Sequence, residues 1–154
     1  MTIEDDIAHL ERIPLLRRLG PGALRILAIG VETFEVQEGQ VLFNAGEIAD
    51  GAYIILQGSF ALQPDRAGAE AVIAGPGTLL GETALLTENR RPVTAVARED
   101  SAVMRISRSM FLRMLDGYPD AANRLREMLA SRSNQWTHEI QSVRTALLGD
   151  KEQK

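Results

Sequence analysis

The sequence contains no cysteine among its 154 residues. A chain without thiols has no disulfide framework, no thiolate metal ligand and no cysteine nucleophile, and it is compatible with a reducing compartment. No apolar run approaches the ~18–20 residues that a membrane-spanning helix requires. The opening stretch, MTIEDDIAHLERIP, is acidic and amphipathic, whereas a secretory signal begins with a basic stretch followed by an apolar one. These absences predict a cytoplasmic protein with no membrane partner.

Motifs of common catalytic sites are missing as well. The sequence has no HExxH zinc motif, no GxxxxGK[ST] phosphate loop and no GxSxG nucleophile elbow. Its two histidines, His9 and His138, lie near opposite ends of the chain in charged, helix-like segments, where a surface position is the usual one. The sequence therefore predicts a protein that is not an enzyme and that has no metal site.

Charge and length restrict the function classes further. Apolar residues make up 45% of the chain and charged residues 25%, and the net charge is −4. The proportions are ordinary for a globular protein, and the length fits one domain with its own core. A negative balance disfavours a general nucleic-acid-binding surface. We expect a single domain spanning residues 1–154 with no direct nucleic-acid binding.

Apolar periodicity divides the chain into three zones. Between residues 2 and 29 apolar residues recur at intervals of three and four, which predicts helices. Residues 31–106 carry short alternating runs punctuated by glycines, because 8 of the 13 glycines lie between Gly39 and Gly81. Such spacing predicts several short strands in a small barrel or jelly roll. From 109 to 148 the helical period returns. The expected fold class is mainly β with flanking helices.

A glycine-punctuated loop, GPGTLLGETALL, lies within the middle zone and turns into one or two helical turns. Gly81 lets the backbone take a positive φ and lets a ligand come close. The first turn of a helix leaves backbone N–H groups without partners inside the helix, and these suit a phosphate. The donors predicted here are the amides of Thr83 and Ala84.

A carboxylate and a guanidinium stand nine residues apart in this region, at Glu82 and Arg91. Arginine can hold phosphate oxygens through two charge-assisted hydrogen bonds. The glutamate repels phosphate, but as an acceptor it suits a sugar hydroxyl. The pair predicts a pocket for a ribose that carries a singly charged phosphate. A surface ion pair of small energetic value is the alternative interpretation.

Residues 10–106 resemble the cyclic nucleotide-binding domain family. The run VQEGQVLFNAGEIADGAYIILQGSFAL, residues 36–62, is similar to the family's glycine-punctuated strands, and GPGTLLGETALL resembles the entry to its phosphate-binding cassette. Arg91 stands where the family's phosphate-binding arginine stands, and Thr94 follows three residues later. The resemblance implies an eight-stranded jelly-roll barrel, a double-stranded β-helix, with N-terminal helices and a long C-terminal helix. It places the cassette at 81–92.

The resemblance also implies a ligand and a role for each cassette residue. The ligand is cAMP or cGMP, without a preference between them. Glu82 would accept a hydrogen bond from the ribose 2′-hydroxyl, and Gly81 would let the sugar approach. The backbone amides of Thr83 and Ala84 would meet the cyclic phosphate, and Arg91 would neutralise it.

The residue after the arginine departs from the family pattern. Members usually carry Ser, Thr or Ala there, with an N–H that contacts the phosphate, but Pro92 has no N–H. Losing one hydrogen bond to a charged group costs on the order of 1.5–3 kcal/mol, roughly 10- to 100-fold in affinity. Two interpretations stay open. One is a modified but competent sensor pocket, and the other is a weakly binding or ligand-free protein-interaction module on the same fold.

The C-terminal zone predicts a short helix at 109–116 and one long helix after it. Transcription factors of the family continue into a helix-turn-helix, which needs two packed helices and a turn. No Gly or Pro between residues 121 and 148 makes that turn, so we expect a stand-alone domain that does not bind DNA.

The long helix itself has two candidate roles. Its apolar positions predict a homodimer through a coiled coil, with packing onto its own barrel as the alternative. Trp136, the single tryptophan, is a candidate cap that stacks on the nucleotide base, with plain interface packing as the alternative. An unidentified regulated protein would respond to this helix.

Overall fold

A computed structural model describes residues 2–66, 68–128 and 130. Three helices come first, at α1 (Ile3–Glu11), α2 (Pro14–Arg17) and α3 (Pro21–Gly30). Thr2 and Asp5 cap α1 reciprocally, each side chain accepting from the other's backbone N–H. Both α2 and α3 begin with proline, whose missing N–H costs nothing in the first helical position.

Strands dominate the middle of the described chain. Its ten strand segments are β1 (Glu32–Val36), β2 (Val41–Phe43), β3 (Ile48–Ala49), β4 (Gly51–Gln57), β5 (Phe60–Pro64), β6 (Val72–Ala74), β7 (Leu79–Leu80), β8 (Asn89–Arg90), β9 (Val93–Ala97) and β10 (Ser101–Ser107). A 3₁₀ turn (Glu82–Leu85) lies between β7 and β8. Helix α4 (Arg108–Gly117) follows β10, and residues 119–128 are helical again.

The strands form two four-stranded sheets, here called sheet A and sheet B, and one ribbon. Sheet A has the order β1-β10-β4-β7, sheet B has β2-β9-β5-β6, and the ribbon is β3-β8. All described pairings are antiparallel. The prediction of a mainly β fold with flanking helices is therefore confirmed.

The closed eight-stranded barrel is not found in the described part of the chain. The two sheets share no hydrogen-bonded strand pair there, since β3, β7 and β8 are two residues long and each pairs with a single strand. Strands of two residues cannot carry a hydrogen-bond ladder from one sheet to the next, and they are too short to show alternation in a sequence. The predicted long C-terminal helix begins within the described residues, where 119–128 are helical, and its predicted continuation beyond residue 130 lies outside them.

Two hydrophobic clusters hold the layers together. One lies between sheet A and the helices and includes Leu16, Leu24, Ile54 and Phe111, and the other lies between the two sheets and includes Ile55. Neighbouring residues of β4 thus face opposite clusters, and both faces of sheet A are buried. Each large aliphatic side chain buried in this way contributes about 1.5–3 kcal/mol. Because both faces of sheet A are buried, β4 and β7 are held in place. The 3₁₀ turn begins shortly after β7, so its start is held in place as well.

Candidate ligand-binding site

A cavity of about 470 Å³ lies where β7, the 3₁₀ turn and the start of β9 meet. Small-molecule sites commonly have this size and combine an apolar wall with a few polar groups. Here the apolar wall includes Leu62, Leu79 and Val93. The polar side chains among the described lining residues are those of Glu82, Thr83, Asn89 and Arg91. The predicted site residues Gly81, Glu82, Thr83 and Arg91 therefore share one cavity.

Arg91 extends into this cavity from a fixed backbone. The backbone N–H of Arg91 donates to the Glu47 carbonyl at 2.8 Å, and its backbone carbonyl accepts from the Gly46 N–H at 2.8 Å. The Cζ atom lies 4.4 Å from the ring centroid of Phe43 and 5.5 Å from that of Tyr53. Those two rings are stacked, with their centroids 5.9 Å apart. Cation–π attraction to both rings holds the guanidinium in one orientation.

The guanidinium of Arg91 has hydrogen-bonding capacity left over. The residue is only 5% exposed, and its Nε and Nη1 atoms are buried without a hydrogen-bond partner among the described residues. Burial lowers the pKa of Arg91 from its usual range, although the neighbouring Tyr53, Asp50 and Glu47 raise it. Arginine stays protonated in proteins. The site therefore contains a buried cation with two unused donors, an arrangement that is costly unless an anion pairs with it.

Gly81 is the glycine that this arrangement requires. It precedes the 3₁₀ turn with φ +82°, in the left-handed region that other residues rarely adopt. A Cβ atom at this position would overlap Nη1 of Arg91. Glycine therefore serves both the turn and the close approach of the guanidinium.

The 3₁₀ turn places the two predicted amide donors differently. Thr83 is exposed and lines the cavity. Ala84 is fully buried, and its N–H donates to the Gly81 carbonyl at 3.0 Å. A phosphate could reach the Ala84 amide only if that hydrogen bond were shared or released. Phosphate contact by either amide stays a prediction.

The structure also shows where Glu82 and Pro92 lie relative to the main cavity. Glu82 is half-buried on the same cavity as Arg91, and it additionally borders two smaller cavities beside the 3₁₀ turn. Pro92 is exposed and lines the main cavity between β8 and β9. The base-capping candidate, Trp136, lies outside the described residues.

Sequence reasoning missed the contributions of Phe43, Tyr53 and Asn89. The two aromatic residues fit an ordinary strand pattern, which does not tell which rings will face a cation. Asn89 precedes the arginine pair in a short polar segment and looks like a turn residue. Only the folded chain brings its side-chain amide to the Thr83 hydroxyl, to which it donates a hydrogen bond.

Two other features are absent from the part of the chain that the structure describes. No group of three or more His, Cys, Asp or Glu side chains there is arranged to hold a metal ion. No helix there has the length and apolar character needed to cross a bilayer.

The sheets and the cavity define a mainly β domain in which a buried arginine lies at the wall of a cavity. Residues 33–118 match the family described as the cyclic nucleotide-binding domain. The match covers more than half of the chain, and the protein belongs to that family.

Known proteins similar to this chain differ in the share of their own length that the match covers. A cyclic nucleotide-binding-like protein from Brucella abortus is 40% identical with a TM-score of 0.65, and the match covers 73% of this chain and 98% of that one. The cyclic AMP receptor protein of Thermus thermophilus is 30% identical over 77% of this chain and 56% of its own length. The lysophospholipase NTE1 of Chaetomium globosum is 31% identical over 76% of this chain and 8% of its own length. The chain thus spans a small part of the lysophospholipase and little over half of the receptor.

Proposed function

We propose that this chain is a non-catalytic sensor domain that binds a cyclic nucleotide, cAMP or cGMP. The observation that carries the proposal is the buried Arg91 guanidinium, whose Nε and Nη1 lack partners among the described residues beside the main cavity. A cyclic phosphodiester carries one negative charge, which one guanidinium neutralises. Gly81 leaves room for that approach.

The remaining cassette residues complete the proposed contacts. Glu82 would accept from the ribose 2′-hydroxyl, since it lines the same cavity as the arginine. The backbone amides of Thr83 and Ala84 would add phosphate contacts. Apolar side chains such as Leu62 and Val93 would pack against the base and sugar, and Trp136 would cap the base.

Signalling from the pocket is part of the same proposal. The C-terminal helix would change position when ligand binds, and it would pair two copies of the chain as a homodimer. A regulated protein of unknown identity would respond in the cytoplasm, without direct nucleic-acid binding and without a metal or catalytic step. Helix α4 supports such a connection between the pocket and the C-terminal helix, because α4 packs against the 3₁₀ turn. The helical residues 119–128 come directly after α4.

Isothermal titration calorimetry with cAMP and with cGMP tests the ligand. We expect saturable binding of at least one of them, and a loss of roughly 30- to 4000-fold in Arg91→Ala, because removing a buried charged partner costs about 2–5 kcal/mol. Arg98→Ala is the matched control, since Arg98 is exposed and away from the cavity lining. The proposal fails if neither nucleotide binds at millimolar concentration, or if Arg91→Ala binds as the wild type does.

A protein-interaction module with a weak or absent ligand is the second candidate. Pro92 favours it, because this lining residue offers no backbone N–H to a phosphate. Absence of nucleotide binding together with a dimer in light scattering would support this candidate over the sensor. Nucleotide binding with the Arg91 dependence described above would contradict it.

A further inference from the structure

Backbone donors around the Arg91 guanidinium are largely committed to the protein itself. The Arg91 N–H donates to the Glu47 carbonyl, and the Ala84 N–H donates to the Gly81 carbonyl. Pro92 has no N–H at all. Besides the Thr83 amide proposed above, an anion held by Arg91 therefore needs side-chain donors for its additional hydrogen bonds.

Asn89 and Thr83 provide such donors on the same cavity wall. Both residues line the main cavity, six positions apart in the chain, and Asn89 Nδ2 donates to Thr83 Oγ1. A side-chain amide nitrogen carries two N–H groups, and a hydroxyl that accepts one hydrogen bond keeps its own proton. Neither remaining proton has an acceptor among the described residues. The pair thus retains one N–H and one O–H for a ligand.

Donation by the amide also changes the hydroxyl chemically. A hydroxyl oxygen that accepts a hydrogen bond becomes a better donor through its own proton, because linked hydrogen bonds polarise one another. Asn89 holds the Thr83 hydroxyl in position as well as polarising it. The pair consequently acts as one unit rather than as two independent side chains.

We propose that the Asn89–Thr83 pair is a ligand-binding element that donates to a phosphate oxygen which Arg91 does not hold. The inference rests on the proposed cyclic nucleotide function and adds residues to that site. Both donors are neutral, so they add hydrogen bonds without adding charge. The charged side chains among the described lining residues are Glu82 and Arg91, and a singly charged phosphodiester fits this balance better than a doubly charged monophosphate.

The competing explanation is that the hydrogen bond from Asn89 to Thr83 only stabilises the loop and touches no ligand, a purely structural role that we call a strap. A strap would affect the melting temperature and would weaken all ligands equally. A direct contact to one non-bridging oxygen would instead discriminate between the two phosphorothioate diastereomers of the cyclic nucleotide, because sulfur accepts hydrogen bonds more weakly than oxygen. The ratio of their affinities separates the two roles.

The experiment compares Asn89→Ala, Thr83→Val and the double variant with the wild type by calorimetry. Each single variant is expected to bind the preferred cyclic nucleotide roughly 10- to 100-fold more weakly, and the double variant about as weakly as either single one. Thr83→Ser keeps the hydroxyl and should keep the affinity. Asn44→Ala is the control, since Asn44 is exposed and does not line the cavity.

Two further measurements sharpen the test. The affinity ratio of the phosphorothioate diastereomers should shift in Asn89→Ala. Adding Pro92→Ala to Asn89→Ala should recover part of the affinity, because it returns a backbone N–H to the same wall. Melting curves of every variant report whether the fold is intact.

The outcomes separate this inference from the proposed function. Wild-type binding with unchanged affinity and unchanged diastereomer ratio in Asn89→Ala overturns the inference alone. A lower melting temperature with an unchanged ratio also overturns it, in favour of the strap. No cyclic nucleotide binding by the wild type overturns both.

Discussion

Replacing Arg91 with methionine should stabilise the ligand-free protein while abolishing nucleotide binding. The guanidinium has two buried donors without partners among the described residues, and each costs about 1–3 kcal/mol. Attraction to the Phe43 and Tyr53 rings returns about 0.5–2 kcal/mol. Methionine is unbranched, of similar reach and adaptable in packing. Arg91→Met is therefore expected to raise the free energy of unfolding by about 2 kcal/mol.

Urea unfolding and thermal melts of the ligand-free proteins measure this effect. For a domain of this size about 1 kcal/mol corresponds to roughly 2–4 °C, so the melting temperature should rise by roughly 4–8 °C. The exposed Arg98 is the control, because Arg98→Met should stay within about 0.5 kcal/mol of the wild type.

Addition of cyclic nucleotide should reverse the order of stability. Ligand at 100 times its dissociation constant stabilises a binding protein by about 2.7 kcal/mol, which exceeds the expected gain of the variant. The wild type should then melt above Arg91→Met. A ligand-free Arg91→Met protein less stable than the wild type by more than about 1 kcal/mol would refute the reasoning, since the arginine would then be contributing to the fold instead of being held at a cost.

Three other predictions follow from the described contacts. Gly81→Ala should lower the free energy of unfolding by about 1–2 kcal/mol, because a residue with a side chain disfavours the left-handed backbone of this position. Calorimetry should also show weaker nucleotide binding, since the new Cβ displaces Arg91. An unchanged affinity would contradict this. Arg108, at the start of α4, donates to the carbonyls of Ala49 in β3, Ala84 in the 3₁₀ turn and Thr87 just after it. Arg108→Ala should therefore lower the free energy of unfolding in urea by about 2 kcal/mol. An unchanged free energy would refute the importance of these contacts. Backbone and side-chain hydrogen bonds from Thr2 hold the pKa of the Asp5 carboxyl below its ordinary value. The ionised carboxylate therefore stabilises the folded protein above that ordinary value, and this stabilisation is lost as the pH falls through the lower pKa of the folded state. Acid melts of Asp5→Asn should show a flatter pH dependence there than the wild type, and identical profiles would contradict the cap.

The amino-acid sequence predicted the mainly β fold class with flanking helices for local physical reasons. Apolar spacing changes from helical to alternating and back because each secondary structure places successive side chains at fixed angles. Glycine at position 81 and the following ETAL segment predicted a loop that turns into a short helix, and the structure has a 3₁₀ turn there. Glu82, Thr83 and Arg91 were named as site residues, and they line one cavity. Their roles in binding remain proposals.

Other predictions depended on contacts between distant segments and could not be made from spacing. The number of sheets depends on which two-residue strands pair, and β3, β7 and β8 have too few residues to carry a pattern. The hydrogen bond from the Ala84 N–H to the Gly81 carbonyl is likewise seen only in the folded 3₁₀ turn, and contact of that amide with a phosphate stays a prediction.

The sequence by itself determined that a glutamate, a threonine and an arginine accompany a glycine-led turn in a mainly β domain. Only the tertiary structure decided that the arginine would be buried over Phe43 and Tyr53 with donors unused, and that Asn89 would reach Thr83. Local order along the chain sets backbone conformation, whereas burial and desolvation of a charge depend on residues that folding brings together from separate strands. The property on which the proposed binding role of Arg91 rests belongs to that second kind.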